Sequence, residues 1–177
     1  MAMLMMPARS LRLVDTALPV AQQEAMRDVA LGVPGVEGIH DLRTRQSAGR
    51  TMLDLHVVVS PRISVSEGHE IGNEVSRRLR EAFPGLTDLT FHVDPEDDAG
   101  EGDPSQLPGL PLRPAVETAL AERWAGLPEW QWLLDLELHY LEGAVTVVAC
   151  IDEDSPLESR EAARRLAYAA EDLEWFS

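Results

Sequence analysis

The sequence predicts an α+β protein in which helices cover one face of a small antiparallel sheet. Two observations support this class. In the first hundred residues, apolar positions switch between helical and strand spacing in the order helix, strand, strand, helix, strand. The same order returns, more loosely, after residue 111. We therefore expect the architecture to be repeated, with a degenerate second copy; the alternative is that such sandwiches are simply common.

The first copy has clear start and stop signals. A helix is predicted over residues 19–31 and ends at Pro34-Gly35, and a hairpin follows with strands from residue 36 and over residues 52–59. Ser64 and Glu67 form a capping-box pattern that opens a second helix. A third strand then carries Leu89, Phe91 and Val93 on one face.

The second copy is predicted from weaker patterns. Helices are expected over residues 112–124 and 155–170, and strands over 130–141, 144–151 and 173–176. Ser155 and Glu158 repeat the capping pattern of Ser64 and Glu67. Each copy is thus predicted to be a ferredoxin-like, metallochaperone-like two-layer sandwich, whose second sheet face is available for another role.

Composition excludes several classes of function. The chain of 177 residues has a net charge of −16 and no lysine, so nucleic acid is not an expected partner. No apolar run reaches the ~20 residues of a membrane helix, and no secretory signal is apparent. The single Cys150 excludes an internal disulfide and fits a reducing, cytoplasmic setting.

Charge and turn residues predict the domain boundaries. Residues 1–97 hold 10 arginines against 14 acidic residues, whereas residues 98–177 hold 5 against 17. Between them the sequence EDDAGEGDPSQLPGLP has no apolar period. The predicted organisation is a flexible segment, a first domain, an acidic Gly/Pro linker and an acidic second domain, over residues 1–11, 12–97, 98–110 and 111–177.

Three histidines and an aspartate are predicted to share the sheet face opposite the helices. His92 and Asp94 are two apart on the third strand, and His56 lies on the same side of the second strand. A hairpin turn centred near residue 48 places His40 opposite His56. Imidazole and carboxylate donors suit Zn²⁺ and related ions. His69 lies on the second helix, too far round to join this group within one subunit. It fits a metal site that a neighbouring molecule helps to form.

Four segments resemble the C-terminal cytoplasmic domain of cation diffusion facilitator transporters over residues 12–97. They read VPGVEGIHDLRTRQS, LDLHV, SVSEGH and FHVDP, at residues 33–47, 53–57, 64–69 and 91–95. The resemblance implies a homodimer that binds divalent metal at its interface and promotes proton-coupled efflux through the membrane domain of the transporter. It also implies a set of metal ligands, namely His40, His56, His69, His92 and Asp94.

The expected function is therefore regulatory and not enzymatic. A divalent cation, Zn²⁺ or one such as Fe²⁺, Mn²⁺, Co²⁺ or Cd²⁺, would close a cytoplasmic dimer belonging to a protein of the bacterial inner membrane. One alternative is a free-standing soluble metal buffer or chaperone. Another is a metal-dependent hydrolase, although the sequence shows no general base or nucleophile motif. The second half is expected either to imitate the dimer partner or to extend the dimer.

Overall fold

The computed structural model describes residues 16–47, 50–97 and 109–177. It divides into two compact units, Met1–Gly100 and Glu101–Ser177. The predicted N-terminal segment 1–11, the tip of the hairpin turn and most of the predicted linker 98–110 lie outside the described residues. No helix in the described ranges has the length and apolar character needed to cross a membrane.

The first unit has the predicted element order. Its elements are α1 (Val20–Leu31), β1 (Val36–Ser47), β2 (Arg50–Val59), α2 (Val65–Ala82) and β3 (Leu86–Asp94). The sheet order is β1-β2-β3, with β1 and β2 antiparallel as a hairpin requires. The prediction of an antiparallel sheet is wrong for β3, which runs parallel to β2. Since α2 carries the chain back along the sheet before β3 begins, β2, α2 and β3 form a βαβ unit.

The second helix begins where the capping pattern predicts. The backbone N–H of Glu67 donates to Ser64 Oγ at 3.1 Å, and this bond satisfies one of the donors left open at the helix start. The helix ends at Ala82, two residues before Pro84, which has no N–H to continue the ladder. The ends of α2 are therefore determined by local sequence.

The core of the first unit lies between the helices and one face of β2. Alternate residues of that strand, from Leu53 to Val59, are each 4% exposed or less. From the helices they receive Met26, Ala30, Val75 and Leu79. The two-layer α+β sandwich is confirmed by this arrangement, which leaves the other face of the sheet without a covering helix.

One glycine allows β3 to approach α2 closely. A Cβ built on Gly72 would lie 2.1 Å from Cε2 of Phe91, well inside van der Waals contact. The absent side chain makes room for the aromatic ring beside the helix. Gly72 therefore fixes the height of β3 above α2, and with it the position of the residues that follow Phe91.

We predict that Gly72→Ala destabilises the first unit by about 1–3 kcal/mol, because overpacking outweighs the better helix propensity of alanine. Hydrogen exchange of the Leu55 and Val57 amides measures this opening, since both residues are fully buried in the core. Gly85→Ala is the matched control, because a Cβ there meets nothing within 4 Å. Equal protection in the two variants would contradict the packing argument.

Two arginines hold an acidic residue on the surface of α2. Arg77 contacts Glu74 at 2.6 Å and Arg78 contacts it at 2.7 Å. Arg78 also donates to the Gly32 carbonyl at 2.9 Å, which connects the end of α1 to α2. Hydrogen bonds from Arg77 and then Arg78 lower the pKa of Glu74 to about 2.

We predict that Arg77→Gln raises the pKa of Glu74 toward its ordinary 4.5, as measured by carboxyl titration in NMR. Because the folded pKa is the lower one, these ion pairs stabilise the fold fully above about pH 4.5. Their contribution is lost as the pH falls through about 2. Arg62→Gln serves as control, and an unchanged Glu74 titration in Arg77→Gln would contradict the assignment.

The second unit repeats the element order but departs from several predicted boundaries. Its elements are α3 (Arg113–Trp124), a 3₁₀ helix (Pro128–Trp132), β4 (Leu133–Leu141), β5 (Ala144–Ile151) and α4 (Ser159–Ala170). The strand predicted to start at residue 130 starts later, because the 3₁₀ helix occupies its first residues. The predicted final strand 173–176 is reduced to one parallel bridge between Phe176 and Val145.

The predicted cap of the last helix was also wrong. Ser155 Oγ accepts from the Leu157 backbone in a local turn, and α4 begins only at Ser159. The side chain of Glu158 caps it by accepting from the Glu161 N–H at 3.0 Å. Pro156 follows Ser155 and biases it toward an extended conformation, which separates the serine from the helix.

A separate apolar core holds the second unit together. Trp124 of α3 is fully buried, and its indole N–H donates to the Leu166 carbonyl of α4 at 3.0 Å. Val145 of β5 and Leu136 of β4 complete the same cluster. The shared element order is compatible with a second copy of the first unit, and common origin remains a prediction.

Candidate metal centre

The candidate site lies on the sheet face that the helices leave uncovered. In β2 the core residues occupy odd positions, so His56 points to the opposite face between Asp54 and Val58. The register places His40 of β1 directly opposite His56, which confirms the predicted cross-strand pair. On the other side of β2, His92 pairs with His56 and Asp94 with Val58.

A bulge in β1 determines which way His40 points. Asp41 has a φ of 48°, and the register shifts by one residue between His40 and Arg43. The extra residue lets both Ile39 and Leu42 face the core, which strict alternation forbids. The bulge explains why apolar and polar residues do not alternate cleanly over residues 36–46. That break in the alternation was the sequence signal from which a bulge could have been predicted.

Two imidazoles converge on one carboxylate oxygen. His56 Nδ1 lies 2.7 Å from Asp94 Oδ2, and His40 Nε2 lies 3.1 Å from the same oxygen. The side chains of His40, His56 and Asp94 are 7%, 31% and 23% exposed, so the site is partly desolvated and reached from one side. His56 Nδ1 and Asp94 Oδ2 share a hydrogen bond across the two strands.

The donor set fits a divalent transition metal. One ligand atom from each of His40, His56 and Asp94 lies within 4.8 Å of the other two. A tetrahedral zinc ion with bonds of ~2.0–2.1 Å holds its donors about 3.3 Å apart. The observed separations from Asp94 Oδ2, 3.1 Å to His40 and 2.7 Å to His56, would therefore widen when an ion enters. These three residues would hold the ion and leave a coordination position for a further ligand. Within the described ranges no other group of three such donors meets this criterion.

The remaining two predicted ligands lie apart from this group. The His92 ring stacks on His56 with a centroid distance of 4.6 Å and is exposed, but it is not among the converging donors. His69 is exposed on α2, with its ring 5.8 Å from that of Phe91. Since α2 covers the opposite face of the sheet, His69 cannot join His40 and His56 within one unit. The structure thus brings together three of the five predicted residues and places a fourth beside them.

Comparison with known proteins finds relatives for the first unit. Metal tolerance protein C1 of Arabidopsis thaliana is 42% identical over 85 residues, which are 48% of this chain and 18% of that protein. Cation-efflux pump FieF of Pectobacterium atrosepticum is 36% identical over 83 residues, which are 47% of this chain and 27% of the pump. The chain therefore spans only about a fifth to a quarter of the length of these relatives.

Solved structures of MamM CTD forms also align with the chain. A cadmium form is 24% identical with a TM-score of 0.43, covering 44% of this chain and 98% of its own. A manganese form is 28% identical with a TM-score of 0.42, covering 43% and 96%. The family model described as "Cation efflux protein, cytoplasmic domain" matches residues 18–96, from the start of α1 to just past Asp94. Residues 18–96 of the chain are thus similar to the cytoplasmic domain of cation efflux proteins.

Proposed function

We propose that this chain is the cytoplasmic regulatory domain of a cation diffusion facilitator transporter in a bacterial inner membrane. It binds a divalent cation at His40, His56 and Asp94, dimerises, and promotes metal efflux by the membrane domain. The observation that carries this proposal is the convergence of two imidazole nitrogens on one oxygen of Asp94. The role is regulatory, with no catalytic step assigned to any residue.

The three proposed ligands lie on three different strands. His40 is on β1, His56 on β2 and Asp94 on β3, so one ion would cross-link the whole sheet. An ion bound there favours the conformation in which the donors are close together. Its positive charge replaces the histidine protons and neutralises the carboxylate. Metal binding would therefore stiffen the sheet and bias the domain toward one arrangement.

His92 and His69 are proposed to act between subunits. Both are exposed, and neither belongs to the converging group within its own unit. The open coordination position would take one of these imidazoles from a second copy. Two nitrogen donors and one carboxylate oxygen suit Zn²⁺, and they also serve Fe²⁺, Mn²⁺, Co²⁺ or Cd²⁺, so the geometry sets the class of ion.

The free-standing metal buffer or chaperone has no observation in its favour. The relatives of known role carry the names of an efflux pump and a metal tolerance protein, and both are several times longer than the matching segment. A buffer would bind metal without a change in shape, whereas a regulatory domain has to transmit the binding event. The shape of the dimer therefore separates the two functions.

We predict that Asp94→Asn weakens Zn²⁺ binding at least tenfold in isothermal titration calorimetry, because it removes the charge that both imidazoles face. His56→Ala should weaken binding by at least as much. His139→Ala is the matched control, since this histidine lies on β4 in the second unit. Unchanged Zn²⁺ affinity in Asp94→Asn would contradict the proposed site. Loss of binding in His139→Ala would place the metal site in the second unit instead.

We predict that saturating Zn²⁺ compacts the homodimer, with a smaller radius of gyration in small-angle X-ray scattering. The physical reason is that a ligand shared between subunits is bound only when they approach each other. The same measurement on Asp94→Asn should show no change. Identical profiles of the intact protein with and without metal would contradict a regulatory role while leaving metal binding itself intact.

A further inference from the structure

One arginine of α1 contacts the backbone beside a proposed metal ligand. The guanidinium of Arg27 donates to the carbonyl oxygen of Ile39, which directly precedes His40 in β1. Arg27 is half-buried between the helix and the strand. A hydrogen bond from a charged donor is stronger than one between neutral groups, so this contact is a firm link from α1 to the strand that carries His40.

The peptide group that Arg27 contacts is shared by Ile39 and His40. The Ile39 carbonyl and the His40 N–H belong to one planar unit, so a bond that fixes the oxygen restricts the whole plane. The Ile39 side chain is 7% exposed and packs in the core, which holds the same peptide from its other end. The backbone from which the His40 side chain departs is therefore held by Arg27 together with core packing.

The ladder between β1 and β2 holds this part of β1 weakly. The register shifts on both sides of the segment Gly38–His40, so only three consecutive residues there pair regularly with β2. β1 is also an outer strand of the sheet. Along the described chain, its other edge has a bridge at Gln46, which is six residues beyond His40. An outer strand interrupted in this way needs a further anchor to keep one orientation.

The position of His40 has to be precise for its side chain to act as a ligand. Its Nε2 lies 3.1 Å from Asp94 Oδ2, and its ring centroid lies 4.9 Å from that of His56. Ligand side chains have to be held within about 0.5 Å of a productive geometry by the residues around them. A tilt of the Ile39–His40 peptide would therefore move the imidazole from Asp94 while leaving every ligand residue in place.

Docking of α1 onto the sheet has other sources. Met26 and Ala30, on either side of Arg27 in the helix, are 2% and 0% exposed in the core. Arg78 of α2 donates to the Gly32 carbonyl at 2.9 Å and fixes the end of α1. The contact made by Arg27 therefore adds most to the strand, because the helix is already held by its apolar face and by a second arginine.

The second unit contains a similar contact away from any candidate ligand. Arg113 of α3 donates to the Leu136 carbonyl of β4 at 2.9 Å. Leu136 is a core residue, as Ile39 is, but the residue after it is the exposed Glu137. In the described part of this unit no three donors converge. An arginine from a helix thus anchors a strand in both units, and in the first unit the anchored peptide leads to a candidate ligand.

We propose that Arg27 is a positioning residue of the metal centre, which holds the Ile39–His40 peptide so that His40 Nε2 stays directed toward Asp94. The inference rests on the proposed function, because it concerns the same site. A guanidinium has donors and no acceptor, so Arg27 is not itself a ligand. It acts on the metal only through the backbone of β1.

The test compares the full chain with Arg27→Met, Arg27→Lys and Arg78→Met. In metal-free protein, nuclear Overhauser effects between the His40 and His56 rings report the position of His40. We expect them to be lost in Arg27→Met and kept in Arg78→Met, which removes the other arginine contact of α1. In calorimetric titration Arg27→Met should bind Zn²⁺ about tenfold more weakly, whereas Arg27→Lys, which keeps a charged donor, should stay within about threefold of the intact chain.

The possible results separate the roles of Arg27. Unchanged ring contacts and Zn²⁺ affinity in Arg27→Met would overturn the proposal, and equal weakening in Arg78→Met would assign the effect to helix docking. Amide exchange at Leu55 and Val57 should be unchanged in Arg27→Met, so a general loss of protection would also count against it. If the intact chain binds no Zn²⁺, the proposed function fails, and the metal-free ring contacts still decide whether Arg27 positions His40.

Discussion

The parallel pairing of β3 with β2 is the constraint on which the first unit depends. β3 covers the edge of β2 that β1 leaves open. It packs Phe91 against Gly72 and brings Asp94 to His56, which lies 38 residues earlier in the chain. Each of these contacts needs the others. The helix glycine sets the height of the strand, the strand sets the register, and the register sets where a carboxylate meets two imidazoles. A candidate ligand site is thus a consequence of backbone packing on the opposite face.

The bulge at Asp41 supplies the remaining adjustment. Without the extra residue, side chains of β1 would alternate strictly, and either Ile39 or Leu42 would point away from the core. The left-handed backbone of Asp41 is normally unfavourable for a residue other than glycine, though aspartate tolerates it better than most. The buried apolar contacts on both sides of the bulge stabilise it. A small local strain therefore allows core packing and donor convergence at the same strand position.

The two units show how much one strand contributes to such a sandwich. Both have a helix, a hairpin and a second helix in the same order, and both begin a parallel chain beside their second strand. In the first unit that chain continues for nine residues and closes the core. In the described part of the second unit one such bridge forms, between Val145 and Phe176, and Val147, Ala149 and Ile151 are partly buried against the core. The first unit uses its open sheet face for polar donors.

The sequence by itself determined the local features: the element order of both units, the cap at Ser64, and the pairing of His40 with His56 through the position of the turn. These follow from periodicity and turn chemistry over a few neighbouring residues. Only the tertiary structure decided that β3 runs parallel, that Ser155 belongs to a turn, and that a bulge at Asp41 lets Ile39 and Leu42 both face the core. Each of these depends on packing between residues distant in the chain, which a pattern of nearby residues does not encode. The donors on neighbouring strands and the separation of the helix-borne His69 were both predictable, because strand alternation and helix period are local; the direction of β3 was not.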